Sequence, residues 1–346
     1  MDNERLYLAL KNRICENIYR GLYKDKESIP PERLLAESLD VSRVTVRKAL
    51  ELLEKDGIVK KVQGSGNIVN LRETGYEGAM DIIALLAPAQ KTFFSLFIDH
   101  FQKNAENHDS LVLFKQKPKN ETIEDSLFKL FQKNIRNAVV WLEDVEINME
   151  YLRRLRGLGM NIVFFDIVIP SKYADCVSAD NQHAIKTLYE YLAEKKLDCI
   201  AYVGWDNYTL SSIREREYTF SELRKRDDSL YTIPWDDRIN LPGIMKELAE
   251  NFKRGGSMPG GMICGDGELG IALKEAFLSV GINKVEIISV DDLPEANNLF
   301  ISVYRQSYEK MARKVYQCLL EQNRLAKGWQ ASVYKVEGEF IERKQQ

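Results

Sequence analysis

The sequence predicts a two-part α/β chain: about seventy residues of helices closed by a hairpin, then a two-lobed domain of doubly wound parallel sheets. Three observations carry this. Leu6, Leu10, Ile14 and Ile18 recur at helical spacing at the start. From Asp81 onward, short continuous apolar runs alternate with helical segments, the pattern of strands buried on both faces. The runs are also too many for one compact sheet, which points to two sheets and hence two lobes.

Taken in order, the opening helix is followed by the break Pro30-Pro31 and a short helix from Glu32 to Leu39. Asp40-Val41 makes a turn. Ser42 is placed to cap the next helix, and Gly57 sits just past its end. Ile58-Val59 and Ile68-Val69 flank the tip Gln63-Gly64-Ser65-Gly66, which reads as a hairpin with a glycine-rich turn. Residues 73–79 are a small, polar linker. The expected strands beyond it are Ile82–Ala87, Leu111–Phe114, Ala138–Leu142, Asn161–Phe165, Cys199–Gly204, Gly261–Cys264, Val285–Val290 and Ile301–Tyr304.

Composition bounds the function. The 346 residues exceed one small domain and suggest two or three units at roughly 150 residues each. The net charge of −3 gives no global attraction to nucleic acid, but residues 1–72 hold 14 Lys and Arg against 11 Asp and Glu, so the positive charge lies in the first part. Met1 to Arg20 mixes charged and apolar residues, so no signal peptide is expected. No run approaches the roughly 20 apolar residues of a membrane span. The five cysteines are scattered and form no CxxC pair, which predicts reduced thiols and a cytoplasmic setting. His100 and His108 lie eight apart, not at the spacing that puts two ligands on adjacent helix turns, and no metal or cofactor is expected.

Two sets of residues carry chemistry. In the third helix Val46, Leu50 and Leu53 share an apolar face, while Arg43 and Arg47 project together near its N-terminus. A recognition helix meets base edges there, and arginine bonds guanine bidentately. In the second part, polar groups stand at or just beyond the ends of expected strands, where parallel sheets bind ligands. Asp166, Arg216 and Asp291 are of the types that bond sugar hydroxyls, and Trp205 offers an apolar ring to stack on a sugar. Asp291 and Asp292 are adjacent and point to opposite faces, so they do not read as an acid pair. Gly265-Asp-Gly-Glu-Leu-Gly270 matches GxGxxG, but a lone match is weak and Asp266 would face a pyrophosphate with like charge. No GxSxG, P-loop or HExxH motif is present, so no catalytic residue is assigned. The rival class is a nucleotide- or sugar-modifying α/β enzyme with an N-terminal helical appendage.

The run from Ile29-Pro-Pro-Glu-Arg-Leu-Leu-Ala to Val46-Arg-Lys-Ala-Leu, followed by Leu53-Glu-Lys-Asp-Gly-Ile-Val and Gln63-Gly-Ser-Gly, resembles the GntR-type winged helix over about residues 4–71. The resemblance implies operator DNA as partner, with Arg33, Arg43, Thr45 and Arg47 at phosphates or bases and Gln63, Gly64 and Gly66 in the minor groove. Pro31 stands where the family usually has Ser, so that helix loses a side-chain cap, and Val44 stands where Thr is common. Asn161-Ile-Val-Phe-Phe-Asp, Cys199-Ile-Ala-Tyr-Val-Gly and Ile288-Ser-Val-Asp-Asp resemble the effector domain of the LacI and periplasmic sugar-binding superfamily over about residues 80–343.

Together the two look like the arabinose-repressor subfamily. That implies a homodimeric, sugar-responsive repressor, with L-arabinose or another pentose or deoxy-sugar as effector. It further implies that Asp166, Arg216, Asp291 and Gln306 line the cleft, with Phe93 and Phe94 at its mouth. The lobes would be 80–179 with 306–328, and 180–305 with 329–346. Lys91-Thr92, Thr219 and Gly265 depart from the family pattern, so the ligand need not be a familiar one.

Overall fold

A computed structural model describes residues 3–71, 78–87, 92–116, 120–141, 146–168, 172–197, 199–255, 258–325 and 328–344. The chain forms two compact units. One is Met1–Phe165 with Ile169–Cys176 and Ala312–Val333; the other is Asp166–Val168 with Val177–Met311 and Tyr334–Gln346.

The first unit opens with α1 (Asn3–Tyr19), α2 (Glu32–Leu39) and α3 (Arg43–Lys55), then the antiparallel hairpin of β1 (Val59–Val62) and β2 (Gly66–Val69). Local chemistry explains each boundary. Pro31 supplies no side-chain cap to α2, and Asp40 ends that helix in the left-handed region. Ser42 accepts the Thr45 N–H and starts α3. Leu10, Ile14, Ile18, Val46, Leu50 and Leu53 are buried as their spacing predicts, whereas Leu6 stays partly exposed.

The helical part leans on the sheet-bearing part of the same unit. There β3 (Ile82–Ala87), α4 (Thr92–Glu106), β4 (Leu111–Gln116), α5 (Ile123–Gln132), β5 (Asn137–Val140), α6 (Met149–Gly157) and β6 (Asn161–Phe165) alternate, and β7 (Asp175–Ala179) follows. Tyr19, the last residue of α1, is only 1% exposed. Its ring stacks on Phe128 of α5 with centroids 4.3 Å apart and planes within 4°. Its hydroxyl donates to Asp125 at 3.0 Å, and the Arg154 guanidinium on α6 donates to its carbonyl at 3.1 Å.

The second unit is built by α7 (Asn181–Glu194), β8 (Ile200–Trp205), α8 (Ser211–Leu223), β9 (Ser229–Ile233), α9 (Leu241–Gly255), β10 (Gly261–Cys264), α10 (Gly267–Ser279), β11 (Glu286–Val290), α11 (Pro294–Asn298) and β12 (Ser302–Arg305). The long helix α12 (Tyr308–Arg324) follows, and the short strands β13 (Val333–Val336) and β14 (Glu339–Ile341) finish the chain. The sheet orders are β13-β7-β6-β5-β3-β4 and β14-β12-β11-β10-β8-β9. Pairings are parallel from β4 to β6 and from β9 to β12; β14 is antiparallel to β12.

The second sheet is covered on both faces. Ala201, Val203, Trp205, Met262, Cys264 and Ile287 pack under α9 and α10, while Ile200, Tyr202, Ile263, Ile288 and Val290 pack under α7 and α8. Alternation along each strand sends neighbours to opposite layers. All eight expected strand runs correspond to strands, although Leu142 lies outside the described residues. β7, β9, β13 and β14 were not among the eight.

Candidate functional site

The first candidate surface is the N-terminal end of α3 with the hairpin. Arg33, Arg43 and Arg47 are exposed. Arg33 sits 3.7 Å from Glu37. Arg43 makes no hydrogen bond or ion pair among the described residues. Arg47 is held by Glu32 of α2, through Nε at 3.3 Å and Nη2 at 3.1 Å. This braces the guanidinium beside the helix start against a half-buried carboxylate. Gln63, Gly64 and Gly66 lie exposed at the hairpin tip, and both glycines have φ of +80°, a conformation that side chains disfavour. Thr45 differs from these exposed residues. It is 6% exposed, and its hydroxyl pairs with Ser42 at 2.8 Å. Two residues beyond Arg43, its side chain turns inward and serves the cap.

The second candidate site is a polar cluster at the C-terminal ends of the strands in the second unit. The sheet reverses its winding between β8 and β10, and ligands bind at such switch points. Arg216 of α8 is 7% exposed. Its Nε donates to Asn181 at 2.7 Å, its Nη1 donates to the Gly265 carbonyl at 2.6 Å, and the Asp291 carboxylate lies 3.9 Å away. The Gln306 amide donates to Asp291. Asp166 stands within electrostatic reach of Arg216 and Asp291.

Asp166 and Asp291 each follow a strand by one residue, and both take left-handed φ, +56° and +72°. Their backbone N–H groups donate to strand carbonyls, Val177 and Tyr304 respectively, so the sheet holds both in this uncommon geometry. Asp292 turns the other way, to Arg305 and Arg343, as its adjacency to Asp291 predicts. Burial pushes the Asp166 carboxyl up to about 7, against the attraction of Arg216 and reinforced by Asp291. Burial likewise raises Asp291 to about 6, again against Arg216. The cluster thus holds one guanidinium and two carboxyls that share protons near neutrality.

Two further residues join the cluster. Asn181, the first residue of α7, fixes the Arg216 fork. Tyr308, the first residue of α12, feels Asp291, Asp166 and Arg216, and burial raises its phenol well above the usual range. Neither stands out in the sequence, because each reads as the start of a helix.

Trp205 lies outside this cluster's hydrogen bonds. It is 2% exposed, packs edge-on to Trp235 and donates its indole N–H to Asp266. Strand parity explains this: Val203 and Trp205 face the α9–α10 layer, away from Tyr202. Phe93 and Phe94 fall at the start of α4, and their side chains lie outside the described residues.

The GxGxxG match is accounted for by packing. Asp266 caps α10 by accepting the Leu269 N–H at 2.9 Å, so a carboxylate already occupies the place where a pyrophosphate would bind. A Cβ at Gly265 would fall 2.7 Å from the Tyr202 hydroxyl, which explains why this position departs from the polar residue usual there.

Two family models match the chain. Bacterial regulatory proteins of the gntR family match residues 6–69, and the periplasmic binding protein-like domain matches residues 189–344. The chain joins a GntR-type winged helix to a periplasmic-binding-protein-like domain. The winged-helix match covers α2, α3 and the hairpin in full. The second match begins inside α7 and includes Arg216, Asp291, Gln306 and Tyr308.

Among curated relatives, the chain is 30% identical over 127 residues to the mannosyl-D-glycerate transport/metabolism system repressor MngR of Escherichia coli (strain K12), covering 37% of this chain and 48% of that one. It is 47% identical over 64 residues to the arabinose metabolism transcriptional repressor of Geobacillus stearothermophilus, 18% of each chain. The chain spans about half the length of the first of these relatives and less of the second. Among solved structures, the Cra transcriptional dual regulator from Pseudomonas putida in complex with fructose 1-phosphate superposes with a TM-score of 0.62 at 15% identity, over 77% of this chain and 100% of that one. That likeness is one of fold. Among the described residues, no helix is long and apolar enough to cross a membrane.

Proposed function

We propose that this protein is a sequence-specific DNA-binding transcription regulator, working in the cytoplasm as a repressor of carbohydrate-use genes that a small sugar switches. The observation that carries the reading is the exposed Arg43–Arg47 face at the capped start of α3, beside a glycine hairpin and inside the residues matched by the gntR family. Two relatives bear names of carbohydrate-system repressors, and the fold neighbour was solved with a sugar phosphate. The Asp166, Arg216, Asp291 and Gln306 cluster supports a hydroxyl-rich ligand, because carboxylates accept from hydroxyls while a guanidinium and an amide donate to them. L-Arabinose, another pentose or a deoxy-sugar is the ligand class we favour. The domain division is residues 1–72 for DNA, 73–79 as linker and 80–346 for effector and assembly.

The test is selection of duplex DNA from a random pool by the full chain, followed by affinity measurement on the enriched site. One sequence class should be enriched. Arg47→Ala should weaken that complex by about 5- to 150-fold, the worth of about 1–3 kcal/mol for a bidentate base contact, and relax base preference at one position. If no sequence is enriched, or if Arg47→Ala binds with unchanged affinity and preference, the reading fails.

We further propose a homodimer on a pseudo-palindromic operator. Strand β4 supports it: it pairs only with β3, at the sheet edge, and exposes Leu111 at 67% and Leu113 at 42% on one face, with Leu96 of α4 also exposed. Exposed apolar edge strands invite pairing with another chain. Leu113→Asp is therefore expected to yield a folded monomer in sedimentation with weakened operator binding. A dimer that persists at micromolar concentration would place the interface elsewhere.

A further inference from the structure

A second concavity lies at the opposite end of the second sheet, where β11 begins. Its lining includes Lys195, Lys274, Lys284, Glu286, Arg343 and Lys344, and its volume is about 430 Å³. Glu286 begins β11, whereas Asp291 follows that strand's end. Five residues at ~3.3 Å each put about 16 Å of strand between this concavity and the effector cluster.

The charges here do not balance. Among the described residues Glu286 is the single carboxylate of the lining, and Lys195 holds it at 2.8 Å. Arg343 is engaged by Asp292 at 2.6 Å and by the Ile301 carbonyl at 2.7 Å, and Lys344 is engaged by Glu342 at 3.1 Å. Lys274 and Lys284 are left with no hydrogen bond or ion pair among the described residues. Lys284 is exposed and solvated, but Lys274 projects from α10 half-buried. Its ammonium is partly stripped of water with no hydrogen-bonding partner, and that desolvation lowers its pKa against the attraction of Glu286. A partly desolvated charge that must share the Glu286 carboxylate with Lys195 is left under-compensated unless a further anion completes it. The chain carries a net charge of −3, so this local excess is not part of a generally basic surface.

We infer that this concavity is an anion site that takes the phosphoryl group of a small metabolite, with Lys274 and Lys284 as its two principal ligands. Its volume falls in the range of small-molecule pockets. A phosphoryl dianion offers three acceptor oxygens, which suits two free ammonium groups with Asn283 beside them. The site is separate from the effector cluster and does not depend on the regulator reading.

The test is thermal unfolding of the full chain titrated with pyrophosphate at fixed ionic strength. A saturable rise in Tm is expected, about 2–4 °C for each kcal/mol of binding. Arg216→Ala should keep the rise, and Lys274→Gln/Lys284→Gln should lose it. Because Lys274 is half-buried, Lys284→Glu alone provides a second variant whose fold is not at issue, and it should weaken pyrophosphate at least tenfold. No saturable rise, or a rise that survives both lysine variants, overturns the inference. A short random-sequence duplex that gives the same lysine-dependent rise would mean that nucleic-acid phosphate, not a metabolite, fills the site, and this too overturns it.

Discussion

Arg216→Ala is expected to abolish the effector response while leaving operator binding intact. The guanidinium ties Asn181, the Gly265 carbonyl and Asp291 together with 7% exposure, so its loss removes the cluster's only cation and three of its contacts. A charged hydrogen bond to a ligand is worth about 1.5–3 kcal/mol, which corresponds to sugar binding weaker by at least tenfold. Stability should fall by roughly 3 kcal/mol, the low end for unpairing a buried charge, because Asp166 and Asp291 relieve the repulsion by taking up protons. An effector affinity within twofold of the parent protein would remove Arg216 from the site.

The same two acids set a pH signature. Their native pKa values, about 7 and about 6, stand above the ordinary 3.8. Between about pH 4 and 7 the folded state therefore holds protons that the unfolded chain releases, and this pair's contribution to stability falls as pH rises through that window. A sugar whose hydroxyls donate to these carboxylates favours their ionised forms. Effector affinity should accordingly rise from pH 5.5 to 7.5, and calorimetry in buffers of different ionisation enthalpy should detect proton release on binding near pH 6.5. Proton uptake, or a pH-independent affinity, would contradict the assignment of both acids.

What the sequence made legible follows from where the information is local. Ser42, Gly57 and the Gln63–Gly66 tip announce a cap, a helix end and a turn by their own chemistry, and the structure places all three so. The buried strands β3, β5, β6, β8, β10 and β11 are continuous apolar runs and were equally plain. The strand β9 (Ser-Leu-Tyr-Thr-Ile) is short and half-buried, and β13 and β14 are strands of three or four partly exposed residues, so no run marks them. What the sequence hides at the sites is parity and convergence. Thr45 lies between Arg43 and Arg47 in sequence yet faces inward, and Trp205 ends β8 yet packs into the α9–α10 layer. Asn181 meets Arg216 from 35 residues away, and Tyr308 starts a helix 17 residues beyond Asp291, so both join the cluster only through tertiary convergence, which no single sequence displays.

The contact at Tyr19 yields the last prediction. For a ligand to alter operator affinity, it must bind two arrangements of the winged helix with different affinity. Among the described residues, the winged helix meets the first α/β part through Tyr19, Arg20, Phe128, Asp125, Tyr151 and Arg154. Near the end of the expected linker, Gly78 is gripped by Asn323 near the end of α12, its N–H donating at 2.9 Å and its carbonyl accepting at 2.7 Å. The helix whose first residue is Tyr308, at the Arg216–Asp291 cluster, thus ends by holding the end of the linker. Tyr19→Ala removes a stacked ring and a buried hydroxyl at once and should cost about 3–5 kcal/mol of stability, as truncating a buried aromatic does. Tyr19→Phe keeps the ring and should cost only about 1 kcal/mol, for the hydrogen bond to Asp125. In Tyr19→Ala, sugar binding by the cluster and DNA binding by α3 should both persist, but the sugar should no longer shift operator affinity. The decisive measurement is the ratio of operator affinities with and without sugar: a ratio equal to that of the parent protein would show that the signal bypasses the Tyr19 contact and runs through the Gly78–Asn323 grip alone.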